Sequence, residues 1–261
     1  MLAHWAGYVL DLELLDTYGW RLWSGIIITA QVVLLSCSMG FVFAYPLARA
    51  RMARNPLIAW PALAYVTFFR GTPLLCQLYL VYYGAGELRP VLQDIGIWWL
   101  FRDAFFCCIT VFTMNTAAYQ AEIVRGAILS VPKGQTEAAR ALGLSGYRIA
   151  RHVVGPQAIL VALRPLGNEY ISIIKASALA AIVTLLDLMG QTRFIFARTF
   201  DFTIYLYAAL IYLAVTEAIG RLWNAMERRL SRHLLIEARA LPIPVPGTGT
   251  ATVGGVAAVL K

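Results

Sequence analysis

Apolar positions in this chain gather into five runs, at about 22–48, 57–83, 98–120, 161–185 and 203–223. Each is close to or above the ~20 residues that an α-helix needs to cross a bilayer. None shows the strict alternation of a half-buried strand, so the pattern predicts an all-α, polytopic membrane protein with five transmembrane helices. The polar positions between the runs are equally ordered. Lys and Arg number three between 49 and 56, five between 122 and 152 and six from 221 onward, against four in the remaining loops and the N-terminal lead. Because basic residues are retained on the cytoplasmic side, this places the N-terminus outside and the C-terminus inside.

Within the runs, departures from apolarity carry the information. Ser36, Gly40, Ala44 and Ala48 recur every four residues, giving the first span one small face that admits a close helix neighbour; compositional bias toward small residues is the other reading. In the second span, Arg70 falls near mid-membrane beside Gly71-Thr72-Pro73, which should interrupt the helix. An arginine at that depth costs about 2.5–3.5 kcal/mol on insertion scales, so it should face a partner, water or a cavity. A shift of one turn would instead let it snorkel to the interface. Gln77 follows in the same span, and Asn115, Thr116 and Gln120 lie in the inner half of the third. The fourth span holds or borders Arg164, Asn168, Glu169, Lys175 and Ser177. Glu169 and Lys175 are six apart and do not share a helix face as an ion pair.

The longest polar insert, about 130–156, is too short and too charged to span. Pro132 suits a first helical turn, Ala138, Ala139, Arg140, Ala141 and Leu142 favour helix, and Gly143 stops it. Ser145-Gly146 opens a second helical run, expected to end at Gly155-Pro156. Leu142, Leu144, Ile149, Val153 and Val154 are the available apolar anchors, with Arg140, Arg148 and Arg151 facing water. On physical grounds this element either meets another protein or rests on the membrane surface.

Composition agrees with the pattern. The 261 residues are 60% hydrophobic and 14% charged, which excludes an ordinary soluble domain. The net charge of +8 sits in loop clusters and not along one surface, so nucleic acid is not an expected partner. Cys37, Cys76, Cys107 and Cys108 lie in apolar segments without metal or redox spacing and are most simply small hydrophobes. The acidic lead of 1–21, with Asp11, Glu13 and Asp16, has no basic n-region, so a cleavable signal peptide is not expected. The loops at 84–97 and 187–202 read as external, and the Pro- and Gly-rich tail from about 238 has linker composition. No Walker loop, HExxH or GxSxG occurs, so no catalytic residues, no metal and no bound cofactor are expected of this chain.

Glu137-Ala138-Ala139, followed by Gly143, Val153 and Pro156, resembles the EAA loop of ABC importer inner-membrane permeases. Gly155 departs from the pattern, in which leucine usually precedes the proline. The resemblance extends over roughly 18–233. Phe69-Arg-Gly-Thr-Pro-Leu-Leu-Cys-Gln77, the run from Asn115 to Gly134, Asn168-Glu-Tyr-Ile and Met226-Glu-Arg-Arg are similar to the polar amino acid branch of these permeases, and Lys175-Ala-Ser-Ala-Leu179 to its histidine, arginine and opine type.

The resemblance implies a type I permease fold over 22–232 and a cytoplasmic tail over 233–261, in the bacterial inner membrane. It also implies a coupling helix carrying Glu137, Ala138, Ala139, Leu142 and Gly143. The implied partners are an ABC ATPase dimer that binds ATP and Mg, a second permease in a heterodimer, and a periplasmic amino-acid-binding protein. Arg70, Thr72, Gln77, Asn115, Glu169, Lys175 and Ser177 become the candidate solute path. A non-ABC channel or receptor subunit with an interfacial loop is the competing reading.

Overall fold

The computed structural model describes residues 12–230, and every regular element among them is helical. The N-terminal part of the acidic lead and the linker-like tail lie outside the described residues. The helices are α1 (Leu12–Arg51), α2 (Pro56–Gly71), α3 (Leu74–Glu87), α4 (Arg89–Asp94), α5 (Trp98–Arg102) and α6 (Ala104–Leu129). They continue with α7 (Lys133–Ala141), α8 (Gly146–Ile149), α9 (Gly155–Ala176), α10 (Leu188–Thr199) and α11 (Thr203–Leu230). Three stretches, Glu13–Arg51, Gly146–Val183 and Thr203–Leu230, are long and apolar enough to cross a membrane.

The fold is centred on α6, against which α1 packs along its small face. Ser36, Ala44 and Ala48 are fully buried there. A Cβ on Gly40 would meet Thr116 Cγ2 at 2.5 Å and the Ala117 backbone nitrogen at 3.3 Å, so the two backbones approach as closely as the absent side chain allows. Around this seam lies a core of Val32, Leu78, Cys107, Cys108, Val111 and Phe112. At one end of the seam, Glu122 on α6 accepts from Arg51 of α1 at 3.1 Å and from Arg125 at 2.7 Å.

Several elements differ from the sequence reading. Part of the 1–21 lead is already helix, continuous with the first span, because Leu14 and Leu22 bury against Leu188, Ile195 and Ile204. The expected external loop at 84–97 is largely helical: Pro90 occupies the first turn of α4, where a missing N–H costs nothing. The third span begins later than read, at Asp103, whose carboxylate accepts from Phe105 N at 2.8 Å and caps α6.

The expected loop at 187–202 is mostly the helix α10, capped by buried Asp187 through Gly190 N at 2.9 Å. It folds inward because Gly25 lets α1 reach the Asp187–Leu188 backbone, and Leu188 N donates to Thr29 Oγ1 at 3.1 Å. The fourth span is α-helical only to Ala176 and then tightens into a 3-10 segment, Ser177–Val183, closed by Thr184 at φ 65°. Gly155-Pro156 does not end the second loop helix. The backbone passes through a π-helical turn, Ala150–Val154, directly into α9. A side chain at 155 would place its Cβ 2.8 Å from the Ala150 carbonyl oxygen, so glycine is what admits this wider turn.

Candidate functional site

The site begins with a proline. In a continuous helix the Phe69 carbonyl would receive the N–H of residue 73, but Pro73 has none, and the helix stops. Thr72 takes an extended conformation at φ −110° and ψ 145°, between α2 and α3. The orphaned Phe69 oxygen then accepts from Gln77 Nε2 at 2.9 Å and Asn115 Nδ2 at 3.1 Å. Gln77 Nε2 also lies 2.8 Å from Thr72 Oγ1, and Asn115 donates to Gln77 Oε1 at 3.0 Å. Two amides thus satisfy the break that the proline creates and fasten it to α6.

Beside the break opens a cleft of about 480 Å³, lined by Arg70, Thr72, Asn115, Glu169 and Ser172 among others. Glu169 on α9 accepts from Thr116 Oγ1 at 3.1 Å, and Thr116 in turn accepts from Gln120 Nε2 at 3.1 Å. The Arg70 guanidinium stands 5.3 Å over the Tyr119 ring. Arg70 and Tyr119 also line a second cleft of about 410 Å³ that reaches Glu122, Val161 and Pro165. The two clefts adjoin at this stacked pair. A cationic and an anionic group therefore face one open cleft, an arrangement suited to a zwitterionic solute.

Of the seven solute-path residues chosen from sequence, Arg70, Thr72, Asn115 and Glu169 come together. Gln77, 3% exposed, lies behind them in the network that secures the break. Ser177 is buried and its hydroxyl donates to Ile174 O at 2.7 Å, at the end of α9. Lys175 is exposed and stands apart from the cleft. Ser172 and Tyr119 escaped the sequence reading, although Ser172 is three residues from Glu169 and Tyr119 four from Asn115, spacings that share a helix face. Among the described residues no cluster of His, Cys, Asp and Glu could hold a metal ion.

The polar insert forms a compact projection. Gly143 takes φ +77°, a conformation that favours glycine, and turns the chain after α7. Ser145 caps α8, and Gln157 Nε2 donates to Gln135 Oε1 at 3.0 Å, tying α7 to the start of α9. Ala139 and Ile149 are buried beneath it and Leu144, Val153 and Val154 half-buried, so four of the five expected anchors pack at least in part. Leu142 does not: it is 81% exposed, with Tyr147 71% exposed nearby in sequence. Glu137 and Ala138 are exposed as well, and the Glu137 carboxylate has no hydrogen bond or ion pair among the described residues. An exposed leucine, tyrosine and unpaired carboxylate make a surface fit for a protein partner.

Residues 17–232 match a family model described as binding-protein-dependent transport system inner membrane component. The nopaline transport system permease protein NocM of Agrobacterium fabrum is 38% identical over 226 residues, which cover 86% of this chain and 94% of that protein. The histidine/lysine/arginine/ornithine transport system permease protein HisM of Escherichia coli is 37% identical over 222 residues, covering 85% of this chain and 93% of that one. Among solved structures, the crystal structure of an amino acid ABC transporter with histidines aligns with a TM-score of 0.75 and 34% identity, over 84% of this chain and 99% of that chain. An inward-facing structure of the MetNI methionine ABC transporter shares the fold, with a TM-score of 0.68 and 21% identity over 81% of this chain and 96% of that one.

Proposed function

The chain belongs to the binding-protein-dependent transport system inner membrane components, and from that premise we propose that it forms half of the solute path of an importer for polar amino acids, of basic or opine type. It is a permease subunit and not an enzyme. Membership in this family displaces the alternative of a non-ABC channel or receptor subunit.

The observation that carries the substrate class is the cleft at the broken helix, where Arg70 and Glu169 present both charges that an amino acid's carboxylate and ammonium require. The names of the relatives NocM and HisM, which refer to an opine and to histidine and basic amino acids, support the same class. Five crossings follow from α1, the broken pair α2–α3, α6, α9 and α11, with the N-terminus outside, as the distribution of basic residues supports. A second permease, most simply a different chain, closes the cleft from the other side, and a periplasmic binding protein delivers the solute.

The segment α7–α8 acts as the coupling helix toward a separate ATPase pair, which holds ATP and Mg. Glu137, Ala138 and Leu142 supply its exposed surface, buried Ala139 its footing, and Gly143 its turn. Closure of the ATPase pair then rocks the helices around the cleft, a rigid-body motion that requires firm levers and no reactive chemistry.

Co-expression of the tagged chain with its ATPase, second permease and binding protein tests this. Wild type should retain the ATPase on purification and Glu137→Lys should lose it while keeping the second permease. Unchanged ATPase retention together with unchanged uptake in Glu137→Lys would sink the coupling assignment.

A further inference from the structure

The helix α9 has two faces with different surroundings. Val161, Pro165, Glu169 and Ser172 line the polar clefts already described. The other face, with α1, α6 and α11, borders an apolar groove of about 510 Å³ whose walls include Phe41, Tyr45, Ile128, Ile159, Leu163 and Trp223. This groove opens on a different face of α9 from the polar clefts.

Tyr45 also lines a more polar recess of about 560 Å³ in the crook between α1 and α2, where Arg49 stands. Phe41, Tyr45 and Arg49 follow one another at four-residue spacing and so share one face of α1. The apolar groove and the arginine are therefore joined along a single helix stripe. Two residues on, around the helix, Arg51 is held by Glu122 at 3.1 Å, whereas exposed Arg49 has no carboxylate partner among the described residues. Its free charge lies in the basic segment that the sequence assigns to the cytoplasmic boundary, where lipid phosphates are found.

We propose that this stripe is a binding site for an anionic phospholipid of the cytoplasmic leaflet, with the phosphate on Arg49 and an acyl chain in the groove between α1, α9 and α11. Apolar walls match the chain and the unpaired guanidinium matches the phosphate. Occupancy would brace α1 against the helices that carry Glu169 and Trp223.

The intact transporter complex, purified in mild detergent, is titrated with phosphatidylglycerol and with phosphatidylcholine of identical chains, and bound lipid is counted by native mass spectrometry. The wild-type complex should hold phosphatidylglycerol about fivefold more tightly, the scale of one basic residue at an anionic surface. Arg49→Gln should abolish that preference, Arg49→Lys should keep it, and Arg229→Gln, beyond the groove, should leave it unchanged. Ala158→Phe, which fills the groove, should lower retention of both lipids. Equal retention of the two lipids by wild type would overturn the proposal. So would an equal effect of Arg49→Gln and Arg229→Gln, which marks diffuse surface charge, or a cysteine cross-link from position 41 to the second permease, which marks a protein occupant.

Discussion

Replacing Gly40 by alanine places a methyl group where α1 and α6 approach most closely. The new Cβ would lie 2.5 Å from Thr116 Cγ2, 3.3 Å from the Ala117 nitrogen and 3.6 Å from the Thr113 carbonyl oxygen. Carbon atoms pack favourably only at about 3.5–4.0 Å, so the helices must part or Thr116 must move, at an overpacking cost of about 1–3 kcal/mol. Thr116→Ser removes the colliding methyl and keeps the hydroxyl that donates to Glu169 Oε1 at 3.1 Å. Alone, that deletion should cost about 1 kcal/mol, the scale of one buried methyl.

Combined, the serine vacates the space that the alanine needs. The double variant should then be less destabilised than the sum of the singles by at least about 1 kcal/mol, a coupling expected only for residues in contact. The remaining 3.3 Å approach to backbone keeps the rescue partial. Unfolding of the four purified proteins in mixed micelles of rising dodecyl sulfate content gives the cycle. Additivity within about 0.5 kcal/mol would refute the packing described for this seam.

Gln77→Leu should destabilise the protein by about 1–3 kcal/mol, because the Phe69 and Thr72 oxygens and the Asn115 amide lose a buried partner; protease sensitivity near residue 72 should rise in step. Gly155→Ala must displace the Ala150 carbonyl and so re-aim the coupling segment against α9; the expected outcome is ATP hydrolysis that persists while uptake falls, and unchanged coupling would count against a role for the π-helical turn. Asp201, whose carboxylate is held below its usual range by the Thr203 N–H at 2.8 Å, caps α11 from outside the spans. A depressed carboxylate pKa stabilises the fold above the unfolded value of about 4 and loses that contribution as pH falls through the folded value. The melting-temperature gap between wild type and Asp201→Ala should therefore narrow below about pH 4, and a constant gap would contradict the cap.

What was legible in the sequence is what local chemistry decides. Pro73 announces a broken helix because it lacks an N–H, and the four-residue recurrence from Ser36 to Ala48 announces a close-packed face. Gly143 announces its turn because few other residues take a positive φ. The rest depends on contacts distant in sequence. That Thr116 would meet Glu169, 53 residues on, follows from how α6 and α9 cross and not from either segment. The stretch 187–202 carries charges enough to read as an external loop, yet it folds inward because Gly25 and Thr29, on another helix, receive it. Gln77 has the chemistry of a solute ligand, but the carbonyl stranded by Pro73 claims its amide. Lys175 is equally polar and faces elsewhere, since only the tertiary fold decides which face of α9 meets the cleft.

Carriage of polar amino acids along a path coupled to a separate ATPase, the proposed function, is put to the test by reconstituting the complex in vesicles with ATP on the α7–α8 side and binding protein opposite, and following labelled amino acids. ATP-dependent accumulation that requires the binding protein, falls with Glu169→Gln although the complex remains assembled, and is lost with Glu137→Lys is the expected result. Accumulation that proceeds equally without ATP, or that ignores both substitutions, would contradict it.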